Sequence, residues 1–201
     1  MPFVETFWRG ASQKLGRASM LLLPFATTLD AAEMQRLSVN HQHGEFIVDA
    51  QMHLKAPAAA VFRLLSDYDH WARLSKSVVS SQRIASTHPA LHYVRSTTRA
   101  CVLFYCDEIS QVQEITEKPG SEILAVTLPK QSDLQQGVVH WHIEADGEWT
   151  GVTLSAQLTP DFWIPPFIGP WSIKASLRAQ ILETANNLER LAGSIAVGEQ
   201  P

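Results

Sequence analysis

Cysteine is scarce in this chain: there are two among 201 residues, Cys101 and Cys106. That excludes a disulfide-dense scaffold, and the spacing of the pair excludes a C-x2-C metal or redox motif. Positive charge is not in excess. The formal net charge is −4, so a basic nucleic-acid footprint is absent and no nucleic-acid partner is expected. Charged residues make up 18% and hydrophobic ones 45%, which excludes a disordered polymer and suits one domain with a sizeable core. There is no G-x-S-x-G, P-loop or Rossmann glycine pattern, so no cofactor is expected. Internal repeats and low-complexity tracts are missing as well.

What is present begins with Arg9, Lys14 and Arg17, followed by an apolar run at 18–26 and then the small residues Ala31 and Ala32. Basic, apolar, small is the order of a secretory signal peptide. The run is too short to span a bilayer as an anchor. The other reading is an amphipathic first helix, against which Pro24 argues because proline breaks a packed helix. Cleavage near Ala32 removes three basic and two acidic side chains, taking the net charge from −4 to −5. The expected organisation is a leader at 1–32, a lead-in at 33–44, one folded domain at 45–192 and a tail at 193–201. The expected location is periplasmic or exported, or cytoplasmic if 1–32 belongs to the fold.

Along the domain, Phe46, Val48, Ala50, Met52 and Leu54 alternate with polar positions, which is the period of a strand. Pro57 suits the first turn of a helix, and Val61, Phe62, Leu64 and Leu65 continue it. A second short helix is expected at 71–74. Strands follow at 78–85, from 91 onward, and at 123–128, 138–144 and 151–158. Asp146-Gly147 marks a hairpin between the last two. The stretch at 161–171 holds three prolines and four aromatics and reads as a rigid elbow. After it, Ile173, Leu177, Ile181, Leu188 and Leu191 recur on one helical face. A helix from Pro170 to Ala192, stopped by Gly193, is roughly 34 Å long and crosses a whole sheet. The strands need a cover and this helix is the large element available. The expected fold is α+β, a helix-grip: a curved antiparallel sheet with two short helices after its first strand and one long C-terminal helix across it.

Residues 91–117 contain neither glycine nor proline, yet one strand of that length far exceeds the usual ~3–10 residues. A turn is hidden there. With Val102, Leu103, Phe104 and Tyr105 as a four-residue loop, Cys101 faces Cys106, Arg99 faces Glu108, Thr97 faces Ser110 and Tyr93 faces Glu114. Charge and hydroxyl pairs then fall opposite each other, as cross-strand pairing prefers. In this register the cysteines either bond or stay as two free buried thiols. Four apolar residues at a loop tip point to contact with a membrane surface, a partner or a pocket mouth, or to a tip tucked under the elbow.

The segments Ala-Pro-Ala-Ala-Ala-Val-Phe (56–62), Leu-Ser-Asp-Tyr-Asp (65–69), Cys-Val-Leu-Phe-Tyr-Cys (101–106), Gln-Ser-Asp (131–133) and the elbow with its helix resemble the SRPBCC superfamily. The likeness is to its START-like, polyketide cyclase-like and coenzyme Q-binding-type members, in an exported bacterial branch. The resemblance implies an apolar cavity between sheet and terminal helix for a lipid, quinone or polyketide-like molecule. Binding or transport of a hydrophobic small molecule is therefore expected. The alternatives are a cyclase or dehydratase on a polyketide-like substrate, and an interaction module using the tip at 102–105.

Strand parity nominates the lining. In 92–100 the even residues are read as inward, because Arg95 and Arg99 hold the other parity. The expected ligand contacts are Val94, Gln111, Gln113, Val126, Trp141, Leu154, Leu158, Phe162, Trp163, Ile173 and Leu177, though any one of them taken singly reads more readily as plain core. The two glutamines suit a polar head group. No catalytic residue is assigned; His92 is the one inward group with acid–base capacity. His140 and His142, like His41 and His43, lack a third ligand at telling spacing, so no metal is expected. Asp67, Asp69, Asp133 and Asp161 fit caps and turns.

Overall fold

The structure is a computed structural model that describes residues 32–85, 92–102, 105–164 and 168–198. Residues 1–31 of the expected leader, Leu103, Phe104 and Phe167 lie outside the described residues. The strands are β1 (Glu33–Gln42), β2 (Glu45–Leu54), β3 (Val78–Ile84), β4 (His92–Val102), β5 (Tyr105–Lys118), β6 (Glu122–Thr127), β7 (Leu134–Asp146) and β8 (Trp149–Pro160). The helices are α1 (Ala58–Leu65) and α2 (Pro170–Gly198), with a 3-10 turn at Tyr68–Arg73. All eight strands form one antiparallel sheet in the order β1-β2-β8-β7-β6-β5-β4-β3.

β2 behaves as its alternation dictates: Phe46, Val48, Ala50, Met52 and Leu54 are all buried. The lead-in does not stay a lead-in. Residues 33–42 form β1, paired to β2 through a turn at His43 (φ 51°) and Gly44 (φ 86°). A register shift between Met34 and Arg36 breaks its two-residue period, which hides the strand from a periodicity reading. The second short element begins at Tyr68 rather than at 71. The loop of the β4–β5 hairpin is shorter than four residues, because Val102 pairs with Tyr105; the pairs Cys101–Cys106, Arg99–Glu108, Thr97–Ser110 and Tyr93–Glu114 are all present. Cys101 and Cys106 are disulfide-bonded with Cα atoms 4.1 Å apart.

α2 runs through Gly193 to Gly198, past its expected stop. Its two halves do different things. In the C-terminal half, Ile181, Ala185, Leu188 and Ala192 are buried on α1, β1 and β2. Burial of each large side chain there contributes about 1.5–3 kcal/mol. Glu189 is buried too and accepts the Lys55 N–H at 2.9 Å. In the N-terminal half, Ile173 and Leu177 are only half-buried, because space lies beneath them.

Candidate functional site

The space under α2 is in two parts. An inner chamber of about 210 Å³ lies between α2, the 3-10 turn and the middle of β4–β7. An outer chamber of about 240 Å³ lies between the elbow, the first turns of α2 and the hairpin end of β4–β5. Thr98 and Gln111 line both, so the chambers adjoin along those two side chains.

Strand parity places the inner floor. Ser96 and Thr98 on β4 sit opposite Gln111 and Ile109 on β5, and Gln113 follows on the same face. Ile123 and Ala125 on β6, with Val139 and Trp141 on β7, complete it. Ser96 and Gln113 are only 2% and 3% exposed. The Ser96 Oγ makes no hydrogen bond to the protein, while Gln111 Oε1 lies 3.5 Å from the donating Thr127 hydroxyl. A buried unpaired hydroxyl carries a desolvation penalty. None of the described residues lining the inner chamber is ionisable.

The inner chamber's flank is held by hydrogen bonds. Glu183 accepts from Ser75 Oγ (3.2 Å) and Lys76 N–H (3.3 Å), and the Asn187 amide donates to the Leu74 carbonyl (3.1 Å). Trp71, another wall, is fixed by donating to the Leu65 carbonyl at 2.9 Å. Behind it stands Tyr68, fully buried and edge-on to Trp71 at 5.4 Å. Its hydroxyl donates to Glu117, and the Arg83 guanidinium lies 5.0 Å from its ring. Burial, then the bond to Glu117, pushes the Tyr68 pKa far above its ordinary value of 10.0.

The outer chamber is more apolar. Phe46, Leu158, Phe162, Ile168, Ile173 and Leu177 are among its apolar wall, and Ser176 and Gln180 add a polar stripe one helical turn apart. Asp107 and Tyr105 are its ionisable residues among those described; the Tyr105 hydroxyl donates to Asp107 at 3.2 Å. Burial and then the Asp107 charge raise the Tyr105 pKa. The elbow is pinned where it begins, because the Asp161 N–H donates to the Asp133 carbonyl and Gln135 donates to the Asp161 carboxylate. Trp163 lines the chamber while remaining 72% exposed, and Trp171 beside the elbow is 63% exposed.

Residues 45–193 match the family described as polyketide cyclase / dehydrase and lipid transport. The chain belongs to that family. Its helix-grip fold is similar to the Zhui aromatase/cyclase from Streptomyces sp. R1128, at 14% identity and TM-score 0.62 over 76% of this chain and 96% of that one. It is also similar to a START superfamily protein from Mycobacterium smegmatis, at 13% identity and TM-score 0.58 over 74% and 98%. A STAR-related lipid transfer protein from Xanthomonas axonopodis matches at 18% identity and TM-score 0.53 over 80% and 98%. No curated protein matches the sequence. At such identities the solved structures bear on the fold alone. Strand β1 precedes the part of this family member that the match covers.

Within the family fold, the expected residues divide. Gln111, Gln113 and Trp141 line the inner chamber; Gln111, Leu158, Phe162, Trp163, Ile173 and Leu177 line the outer one. Val94 and Leu154 are buried core and line neither chamber. Val126 is corrected: it is 39% exposed, on the face opposite Ile123 and Ala125. Both parities of β6 are apolar, so alternation alone cannot orient it; the pairing of Ile123 with Trp141 does. His92 faces solvent, which removes it from the cavity. Sequence reasoning missed Ser176, Gln180 and Thr184, although their four-residue spacing was a readable polar stripe beside the apolar one. His140 and His142 lie on the outer face near Glu122, at 3.6 and 3.9 Å. Lys118 first, then His140, lowers the Glu122 pKa. Among the described residues no group of three metal-ligating side chains converges, and no helix is long and apolar enough to cross a membrane.

Proposed function

We propose that the protein binds and carries an apolar or amphipathic small molecule in the two chambers under α2. The observation that supports this is their adjacency at Thr98 and Gln111. Together they fall within the ~300–1,000 Å³ usual for small-molecule sites. The family's association with lipid transport points the same way. The catalytic alternative, cyclisation or dehydration of a polyketide-like substrate, needs an acid or base against the substrate; Tyr105 and Asp107 are the groups that reading has to use.

We further propose that the carrier is exported and takes up its ligand at a membrane surface. The disulfide suits an oxidising compartment, and the exposed tryptophans at the outer mouth suit a headgroup layer. The test is native mass spectrometry of the purified full chain, followed by organic extraction, with N-phenyl-1-naphthylamine as a fluorescent probe. A retained apolar molecule, or saturable probe binding at one site, is the expected result. The absence of both a retained molecule and probe binding overturns the carrier reading.

A further inference from the structure

We propose that the inner chamber is a subsite for an uncharged hydrogen-bonding end group, a hydroxyl or a carbonyl, on a ligand whose apolar body fills the outer chamber. This inference rests on the carrier reading and adds the ligand's orientation and chemical class.

Three observations carry it. Ser96 lines the chamber, and its hydroxyl is buried and unpaired with protein, so that turning it about χ1 would bring it to a guest. The Gln113 amide, also buried, lines the same wall, and Gln111 stands where the chambers meet. A hydroxyl and two carboxamides offer donors and acceptors without a formal charge. The described lining contains no cation for a carboxylate or phosphate and no carboxylate for an ammonium. Two carboxylates bonded to the wall and its backing are engaged, Glu183 with Ser75 and Glu117 with Tyr68. Burying an ion here costs its hydration without a countercharge, whereas a hydroxyl or ketone exchanges water for Ser96 and Gln113. The gradient from this neutral polar floor to the apolar outer wall sets the direction: polar end inward, apolar body toward the elbow.

The experiment uses the full chain and displacement of N-phenyl-1-naphthylamine by five compounds of one chain length, 1-dodecanol, 2-dodecanone, dodecane, dodecanoate and dodecylammonium, near neutral pH. The alcohol and the ketone are expected to displace the probe at least about tenfold more tightly than either ion. Gln113→Leu and Ser96→Ala are each expected to weaken the alcohol by roughly 2–10-fold while leaving dodecane unchanged. Ser96→Ala is also expected to raise the unfolding midpoint of the ligand-free protein, because an unpaired hydroxyl leaves the core. Equal binding of alcohol and carboxylate overturns the subsite. So does an alcohol affinity indifferent to both substitutions. Probe binding with no headgroup preference leaves the carrier reading standing without the subsite; no binding of probe or any dodecyl compound sinks both.

Discussion

Alkaline pH should expose the Tyr68 buttress selectively. Tyr68 is fully buried, donates to Glu117, and its ionisation is pushed well above the ordinary value of 10.0. A raised folded-state pKa contributes stability that is complete below the unfolded pKa and is lost as pH rises beyond it. Between pH 8 and 10 this group adds no slope. Above pH 10 the unfolded chain ionises while the folded one does not, and stability falls by about 1.4 kcal/mol per pH unit, or roughly 2 kcal/mol by about pH 11.5. In urea that is a midpoint about 1 M lower. Tyr68→Phe forfeits a bond to a charged acceptor, about 1.5–3 kcal/mol at neutral pH, and removes this titration. The two proteins should therefore differ most at pH 8 and converge toward pH 11.5. Tyr93 and Tyr105, whose pKa values are also raised, contribute to both curves and cancel in the difference. The assay is urea denaturation across that range, with absorbance at 295 nm counting tyrosinates. A gap that stays constant with pH, or all three tyrosines ionising together near pH 10 in the folded protein, refutes the reasoning.

Reducing Cys101–Cys106, or replacing both with serine, should cost about 2 kcal/mol by loop-closure entropy and lower Tm by roughly 4–8 °C; thermal melts with and without reductant check it, and the double variant should ignore reductant. Leu177→Trp should fill the outer chamber and abolish probe binding with Tm nearly unchanged, since the cavity of about 240 Å³ accepts the added ring. Gly137→Ala places a methyl 3.0 Å from Thr127 Cβ, beside the hydroxyl that donates to Gln111. It should destabilise by about 1–3 kcal/mol and weaken probe binding, both read from denaturation and titration. Trp171→Ser, at an exposed residue that lines neither chamber, should lower partition onto anionic and zwitterionic vesicles while leaving probe affinity in solution intact; unchanged partition removes the membrane-surface proposal.

The helix-grip was legible because its elements follow from strong local patterns: alternation in β2, the hidden turn between β4 and β5, and the apolar stripe on α2. Cross-strand chemistry fixed the β4–β5 register, so Gln111 and Gln113 could be placed on one face with Ser96. Where the pattern was degenerate the reading failed. β6 is apolar on both faces, so Val126 was put inside. β1 carries a bulge, so its period vanished. Gly193 looked like a stop, but α2 is held there by tertiary packing of Leu188 and Ala192, which overrides a local preference. The distinction between cavity wall and core was not legible, since Leu154 and Leu158 have the same chemistry and differ only in what lies above them.

The strand order has a kinetic consequence. From β3 to β8 the sheet is an unbroken run of hairpins, each joining neighbours in sequence. The β2–β8 seam instead joins Phe46 to Leu158, and α2 must return to β1 and β2 at the opposite end of the chain. Such distant joins carry the largest loop-closure entropy and form slowly. The roof of the chambers therefore depends on the least local contacts in the molecule. Native-state hydrogen exchange should find the first turns of α2, Ile173 to Leu177, opening at a lower free energy than the β4–β5 hairpin, whose tip the disulfide ties.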